Sequence, residues 1–501
     1  MNIGVVDAGS KPYTFAFVAN RPVKVGEYIF VDTPEGKALA LVEDSIITSD
    51  VMKNAMSYES AVEGSRAASG NPRDKRYSAT ARVLGLVEEL RNGYSKIPSL
   101  PSIPGTEVSE ADASTLSMIF AKEGWIKLGT LLRNNEVSIG VDPNKIASRH
   151  LAILAATGGG KSNLLGLIAK RIAELNGTML ILDYHGEYSD LKIDGIVHIQ
   201  AKVNPRLLDA EELAGMLDIR EKAERQRAVL YRAFSREVRE ATDFWDQLLR
   251  HLNDIANSNE DLQTRRTAER VAEIIDRALR RKGRVLDPDI KDPIDQLQPN
   301  RVNVLNMLDL TEAQADTVIS YYLDRILEDR KLARMISLNR EEGQAKFISP
   351  IIIAIEEAHT FLPAEDATSK TKAVAAKIAR EGRKFGVSLI VVSQRPSRVD
   401  QDILSQMGSL AVLRITQPKD QNYIIESTEL VSEELGKFLP SLNVGEAILL
   451  GQWVVLPSIV KIEKVPEKLM GADINAVAEW SQTARIKNMA KESTSQFIRE
   501  E

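Results

Sequence analysis

The chain has 501 residues, of which 43% are hydrophobic and 27% charged, and its formal net charge is -6. The length predicts more than one domain, and the composition is that of a soluble protein with a sizeable core. The lack of cysteine excludes disulfides, thiolate metal sites and cysteine nucleophiles, while the negative charge restricts nucleic-acid contact to a local patch or a lined channel.

No stretch of the sequence predicts a membrane anchor or an export signal. The first residues, MNIGVVDAGS, lack the basic start and the apolar run of a signal peptide. The most apolar stretch near the end, AILLGQWVVLPSIV, is too short to span a bilayer. We therefore expect a cytoplasmic protein without membrane contact.

Short strands separated by glycine predict a small β-barrel or β-sandwich domain over residues 1–145. The stretch 57–71 is rich in Ser, Ala, Gly and charge and is predicted to be a loop, and 97–106 contains three prolines and is predicted to be a connection. The candidate strands are 26–32, 38–42, 77–87 and 127–132.

From residue 149 onward, strands alternate with helices, which predicts an α/β core around a parallel sheet. Apolar stripes of helical period begin at Val271 and Val318, and Thr311 with Gln314 predicts a capping box. We assign 205–299 to a helical insertion, with helices continuing to about 345, and 466–501 to a charged helical tail. Strands are expected at 151–156, 179–183, 302–307, 351–355, 387–392 and 410–415, and helices at 161–175 and 373–384.

The sequence AATGGGKSN lies between the first of these strands and a helix, and its Gly-Lys-Ser is the end of a P-loop pattern. Glycines let backbone N–H groups turn toward phosphate oxygens, and the helix directs its positive end at the same anion. The lysine is expected on the β- and γ-phosphates of ATP and the serine hydroxyl on Mg²⁺. The predicted nucleotide-binding residues are Thr157, Gly158, Gly159, Gly160, Lys161, Ser162 and Asn163.

One position departs from that pattern, because Ala155 stands where the full motif has glycine. Alanine there requires a permissive backbone angle. The alternative interpretation of the whole segment is a chance glycine loop with a lysine.

Two glutamates end the strand predicted at 351–355, in the Walker B position of a strand beside the P-loop. ATP hydrolysis needs one carboxylate for the water shell of the metal and another to polarise the attacking water. We assign Glu356, where the usual residue is aspartate, to the Mg²⁺ shell and Glu357 to the water. The alternative is a solvated acidic pair at a strand end.

Three further polar groups lie next to predicted strands. Gln394 follows the strand at 387–392 and is the candidate sensor of the γ-phosphate, with an ordinary loop as the alternative. Arg380 and Arg383 precede that strand and are candidates for arginine fingers to a neighbouring subunit, or for basic residues that match a helix dipole. Asp183 ends the strand at 179–183, where it and Glu187 are candidates to bind metal or water.

These blocks resemble the HerA branch of the HerA–FtsK superfamily over nearly the whole chain. The segments that carry the resemblance are RHLAILAATGGGKSN, LILDYHGEY, IIIAIEEAHTFLP and REGRKFGVSLIVVSQRPS, in this order and spacing. The resemblance implies an α/β fold, namely a RecA-like P-loop ATPase core over 146–204 and 300–465 with a helical insertion, preceded by a small β-barrel domain.

The same resemblance implies a hexameric ring that threads double-stranded DNA through its pore. It also implies partnership with a NurA-type nuclease in processing DNA ends for recombinational repair. In this family the residue that matches Glu357 is catalytic and an arginine near the REGRK block acts in trans. Arg149 matches a basic position near the nucleotide, and the strand at 457–461, with Ile459 and Val460, matches a segment that packs near it.

Rival functions stay open at this point. A conjugation-type or division-type DNA pump usually carries membrane helices, a protein-remodelling ring ATPase would respond to unfolded protein, and a nucleotide sensor would bind ATP without turnover. Lys370 and Lys372, in the polar stretch after the paired glutamates, are weak candidates for DNA contact in the pore, with a solvated loop as the alternative.

Overall fold

Two β-structures organise the chain, a closed barrel of six strands and an open sheet of eleven strands. The computed structural model describes residues 1–466 except 54, 70–73, 190, 221, 283–284, 341, 366–368, 429–430 and 432. Apart from Pro466, the helical tail expected at 466–501 lies outside the described residues. Within the described residues, no helix combines the length and the apolar character needed to cross a membrane.

The barrel closes in the strand order β1-β2-β5-β4-β3-β6, and all neighbouring strands are antiparallel. Buried side chains alternate with partly exposed ones along β2, which favours a closed barrel. Every second side chain of β2, including Phe15 and Phe17, is buried in the barrel interior. The expected barrel is thereby confirmed. Its strands are β1 (Asn2–Lys11), β2 (Thr14–Ala19), β3 (Tyr28–Thr33), β4 (Gly36–Ser49), β5 (Lys75–Leu86) and β6 (Glu107–Glu110).

The loop predicted at 57–71 is wrong, because a helix covers most of it. Ser57 N donates to Ser60 Oγ (2.9 Å) and Ser60 N donates to Ser57 Oγ (3.2 Å), so the two serines cap the first turn. The following Ala and Glu residues favour continuation of the helix. The helices of this part of the chain are α1 (Asp50–Lys53), α2 (Tyr58–Ser69), α3 (Val87–Arg91) and α4 (Ala113–Phe120).

The large sheet has the order β11-β12-β10-β13-β14-β9-β15-β16-β17-β7-β8. The seven strands from β11 to β15 are parallel, and the remaining four are added antiparallel. The strands are β7 (Ile126–Leu131), β8 (Asn134–Val141), β9 (Leu151–Leu154), β10 (Thr178–Asp183), β11 (Ile196–Gln200), β12 (Val302–Asn306), β13 (Ile351–Ile355), β14 (Val387–Ser393), β15 (Ser409–Leu413), β16 (Glu446–Gly451) and β17 (Ser458–Ile462).

The strand expected at 127–132 exists, but it belongs to this sheet and not to the barrel. β7 pairs with β17, with Val460 opposite Leu131, and thereby supplies partners to the backbone groups of a strand that would otherwise be an open edge. The proposed boundary at residue 145 therefore places two strands of the large sheet with the barrel.

Strand order also corrects the position of the paired glutamates. β13 does not lie beside β9, the strand before the glycine loop, because β14 pairs with both and separates them. The carboxyl ends of β9, β14, β13 and β10 still meet at one edge of the sheet, where open α/β sheets bind ligands. This parallel order is that of a RecA-like P-loop ATPase core and confirms the expected fold class.

Helices cover the sheet and form the insertion between β11 and β12. The stripe that begins at Val318 is buried on α12, and Gln314 Oε1 accepts from Thr311 N (3.0 Å) in the predicted capping box. The helices are α5 (Pro143–Arg149), α6 (Lys161–Glu174), α7 (Ala210–Met216), α8 (Glu224–Ala233), α9 (Arg236–Glu240), α10 (Phe244–Ala256), α11 (Leu262–Lys282), α12 (Glu312–Ser337), α13 (Ala358–Phe361), α14 (Lys370–Glu381), α15 (Gln401–Ser405), α16 (Pro418–Ser427) and α17 (Glu433–Phe438).

The helix expected at 373–384 begins and ends earlier than predicted. α14 stops at Glu381, and a 3₁₀ turn covers the next four residues. Gly382 sits where a Cβ would lie 2.4 Å from the carbonyl oxygen of Val387, so only glycine lets the chain turn this close to the start of β14.

Candidate functional site

The glycine loop between β9 and α6 turns sharply before the helix. Gly158 (φ 73°) and Gly160 (φ 103°) are left-handed, a conformation that glycine adopts without strain. Gly160 is the residue before α6 and provides no side-chain cap, which leaves the first-turn N–H groups free for an anion. Ala155 has no positive φ and is fully buried, so alanine is accommodated at this position.

Lys161 opens α6 and is surrounded by three carboxylates. Its Nζ lies 3.1 Å from Glu357 Oε1, 3.8 Å from Glu356 Oε1 and 3.9 Å from Glu187 Oε1. Burial opposes the charged form, but the carboxylates outweigh it and raise the pKa of Lys161. A buried ammonium held beside the glycine loop is placed to meet the phosphates of a nucleotide.

Glu356 is almost fully buried at the end of β13. Its Oε1 accepts from the hydroxyl of Tyr188 (2.9 Å), and its Oε2 has no hydrogen-bond partner among the described residues. Burial raises the pKa of Glu356 to about 8, although Lys161 lowers it. A buried carboxyl oxygen without a partner is the group that a hydrated cation would satisfy.

Glu357 takes a left-handed conformation (φ 47°) at the start of α13, which turns its side chain to Lys161 and Gln394. Gln394 Nε2 donates to Glu357 Oε1 (2.5 Å), and Thr157 Oγ1 donates to Gln394 Oε1 (2.7 Å). Burial opposes ionisation of Glu357, but Lys161 and Gln394 together hold its pKa below the usual range. Gln394 thus connects the glycine loop to the glutamate, at the position predicted for a γ-phosphate sensor.

The turn after β10 corrects the role expected for Asp183. The carboxylate of Asp183 is buried and accepts from the backbone N–H groups of Glu187 (2.9 Å) and Tyr188 (3.0 Å), so it shapes the turn and does not face the cleft. Glu187 occupies the place beside the glycine loop, where it accepts from the Ser162 hydroxyl. Gly186 (φ 72°) permits the chain to reverse after β10. As a result Glu187, and not Asp183, lies beside the glycine loop.

Sequence reasoning gave too little weight to Glu187 and missed Tyr188 and His359. Tyr188 donates to Glu356, and His359 Nδ1 lies 3.3 Å from Glu357 Oε2, so each orients one of the paired glutamates. The signal was present in the runs DYHGEY and EEAH, but the direction of each side chain depends on the turn.

The oxygen ligands present fit Mg²⁺. Ser162, Glu187 and Glu356 are hydroxyl and carboxylate groups, which Mg²⁺ prefers, and the unpartnered oxygen of Glu356 is available. The described residues contain no group of three or more His, Asp or Glu arranged around a common metal position.

A cleft of about 1140 Å³ adjoins the glycine loop. Its far wall is formed by the end of β17 and the segment after it, residues 461–465. Asn163 fixes the segment after β17 by donating to Glu463 O (2.9 Å) and accepting from Val465 N (2.9 Å). Ile459 and Val460, expected near the nucleotide, are instead buried within the sheet and do not line the cleft. The residues that line the cleft lie slightly further along the chain than the two that were predicted.

Three of the predicted arginines lie at the other edge of the sheet. Arg149 ends α5 before β9 begins, and Arg380 and Arg383 precede β14, so all three lie opposite the carboxyl edge that carries the glycine loop. His150 holds this region together, because its Nδ1 accepts from Leu389 N (2.9 Å) and its ring also bonds to the Ala379 carbonyl. None of these arginines can reach the cleft of its own chain.

Lys370 and Lys372 do not present free charges. Lys370 Nζ pairs with Glu212 of the insertion (3.0 Å), and Lys372 Nζ contacts Asp400 (2.8 Å) and the carbonyl of Pro363 (2.9 Å). Both residues open α14 and do not belong to an open loop. Their engagement within the chain removes the basis for assigning them to DNA contact.

Comparison with known proteins gives a consistent family. The model of the family "Helicase HerA, central domain" matches residues 126–326. The DNA double-strand break repair helicase HerA of Saccharolobus solfataricus is 36% identical, with 98% of each chain covered. The helicases of the same name from Sulfurisphaera tokodaii (35%, covering 96% of this chain and 97% of that one) and Pyrococcus furiosus (31%, covering 96% and 97%) are also similar.

Among solved structures, VirB4 of Thermoanaerobacter pseudethanolicus is similar with a TM-score of 0.49 and 19% identity, covering 70% of this chain and 100% of that chain. A likeness this remote decides nothing between families.

Proposed function

The chain belongs to the HerA helicase family, and from this premise we propose that it hydrolyses ATP to move along double-stranded DNA during the repair of DNA breaks. Its enzymatic class is that of an ATP-dependent DNA helicase. The observation that carries the proposal is the contact between Lys161, which lines the cleft beside the glycine loop, and Glu357, whose carboxylate lies 3.1 Å from the ammonium.

We assign a role in this reaction to each of the polar groups gathered around the glycine loop. The glycine loop and Lys161 bind the β- and γ-phosphates, and Gln394 senses the γ-phosphate. Glu357, held charged by its neighbours, orients the attacking water and accepts its proton. Ser162, Glu187 and Glu356 would hold Mg²⁺ directly or through water, and the bound ion would neutralise charge on the phosphate oxygens. Tyr188 positions Glu356.

A ring is supported by where the arginines lie. Arg149, Arg380 and Arg383 lie at the amino edge of the parallel sheet, away from the cleft of their own chain. A neighbouring copy that presents this edge to the cleft places a positive charge on its γ-phosphate, as a trans arginine does in related reactions. We propose a homo-hexamer in which the core, 146–204 and 300–465, forms these interfaces.

Coupling to DNA follows from the same arrangement. Loss of the γ-phosphate releases the trans arginine and shifts loops that grip phosphates in the pore. Phosphates carry no sequence information, so movement is independent of sequence. A NurA-type nuclease that works with the ring converts this movement into resection of DNA ends in the cytoplasm.

An ATPase assay tests the proposal against the protein-remodelling rival. We expect duplex DNA with free ends to stimulate hydrolysis several-fold and a permanently unfolded protein to have no effect. Adding the co-purified nuclease should then release nucleotides from the ends only while ATP is hydrolysed. Stimulation by unfolded protein and indifference to duplex DNA would instead establish the rival.

A further inference from the structure

A basic groove runs between α8 and α11 of the helical insertion, away from the ATPase cleft. Its main cavity has a volume of about 740 Å³ and continues into a second of about 630 Å³. Six basic and three acidic side chains line the groove, and all six basic ones are exposed. The basic residues that line it are Arg220, Lys222, Arg225, Arg266, Arg270 and Arg277, and the acidic ones are Asp218, Glu224 and Glu273.

Three arginines of this groove, unlike several others of the insertion, form no ion pair with a described residue. Outside the groove, Arg232 pairs with Glu260 (2.7 Å) and Arg250 pairs with Asp243 (3.0 Å). By contrast, Arg266, Arg270 and Arg277 make no ion pair within 4.0 Å to any residue that the structure describes. A protein whose net charge is -6 therefore keeps a concentrated positive charge in this groove.

The three arginines of α11 lie on one face of a single helix. They stand at spacings of four and seven residues, so they span about 16 Å along the helix axis. Duplex DNA presents one negative charge per about 1.7 Å of its axis, so several phosphates fall within this span. Both the length and the openness of the groove favour a polyanion over a single small anion.

The start of α8 adds to this positive surface. α8 begins at Glu224 after Ala223, which lines the groove, and no described side chain caps this helix end. Its first N–H groups therefore direct partial positive charge into the groove. Arg225 lies near Asp261, which leaves α11 as the main source of free charge.

We propose that the groove between α8 and α11 binds the sugar-phosphate backbone of duplex DNA. This inference rests on the proposed function, because it assigns the enzyme a second DNA contact outside the path along which its core moves DNA. The groove would bind DNA through charge alone, because its lining residues include long exposed guanidinium groups and no aromatic side chain on which a base could stack. Binding is therefore independent of sequence and steeply dependent on salt.

A pair of double variants of the full chain tests this contact. Arg266→Ala with Arg270→Ala removes two groove charges, and Arg236→Ala with Arg250→Ala removes two paired charges from the same insertion. Binding of a fluorescent 40-base-pair duplex is measured by anisotropy from about 50 to 300 mM KCl. We expect the groove variant to bind about tenfold more weakly, and the slope of log affinity against log salt to fall by about 2.

The outcomes separate the groove from the function itself. The control variant should keep the affinity and slope of the parent chain, and both variants should keep the DNA-free ATPase rate. If the groove variant and the control match a parent that binds duplex, the groove assignment is overturned while the proposed function stands. A parent that binds no duplex at any salt concentration overturns both.

Discussion

The ammonium of Lys161 lies 3.1 Å from the carboxylate of Glu357, although 196 residues separate them in the chain. One comes from the start of α6 and the other from the end of β13, and β14 lies between their strands. The contact can form because the carboxyl ends of parallel strands meet at one edge of the sheet. In the absence of phosphate, this pair neutralises two buried charges.

Removing the lysine should therefore lower the folding stability of the protein without bound nucleotide. Lys161→Met leaves Glu356 and Glu357 close together without a cation, and breaking a buried pair costs about 3–5 kcal/mol. We expect a lower thermal midpoint for this variant. Adding Glu357→Gln should restore much of it, and calorimetry of the single and double variants measures the coupling. Additive losses would show that the two side chains do not interact.

The segment after β17 should control nucleotide affinity through Asn163. Asn163→Ala removes both hydrogen bonds that fix residues 463 and 465 across the cleft. We expect KM for ATP to rise about three- to tenfold with kcat little changed, because the reacting groups are untouched. Asn144→Ala, on α5, is the matched control. A fall in kcat without a change in KM would place Asn163 in the chemistry instead.

We expect the arginines at the amino edge to act on the nucleotide of a neighbouring copy and not on that of their own chain. Arg380→Ala with Arg383→Ala should keep ATP binding and lower hydrolysis about 10³-fold, the magnitude typical of a trans arginine. Arg334→Ala, an exposed arginine of α12, is the control. Mixing the double variant with a Lys161→Met variant should restore part of the activity, since some interfaces combine an intact cleft with intact arginines. No gain on mixing would contradict a trans role.

His150 should make the core sensitive to acid. Burial lowers its pKa to about 4, so the unfolded chain binds a proton more readily between pH 6.5 and 4 and the folded state loses stability as pH falls through this range. From pH 7 to 5 this amounts to about 2 kcal/mol. Urea midpoints should fall less steeply with acid in His150→Gly, because glycine tolerates the backbone angles of this position (φ 60°, ψ 158°). Equal slopes for parent and variant would exclude His150 as the cause.

Much of the core could be predicted because its signals are local. A glycine loop between a strand and a helix identifies Lys161 and Ser162, and the end of an apolar strand identifies Glu356 and Glu357. Strand patterns were sufficient to predict most strands of the sheet and the α/β class. For the first domain they predicted a small barrel or sandwich without β1, β2 and β6, and the family resemblance favoured the barrel.

What could not be predicted depends on distant partners or on turn geometry. β7 joins the large sheet because β17, more than 300 residues later, offers an edge. Lys370 forms an ion pair with Glu212, which belongs to the helical insertion. Asp183 and Glu187 share one turn, and only the backbone at Gly186 decides which carboxylate faces the cleft.

In the proposed mechanism, Glu357 activates water in an ATPase that DNA stimulates. This role is tested most directly by comparing the parent with Glu357→Gln, and with Glu240→Gln as a control on α9, in the presence of duplex DNA ends. We expect Glu357→Gln to bind an ATP analogue as tightly as the parent but to hydrolyse ATP at least about 100-fold more slowly, with DNA giving no stimulation. Hydrolysis at the parent rate in that variant would contradict this role.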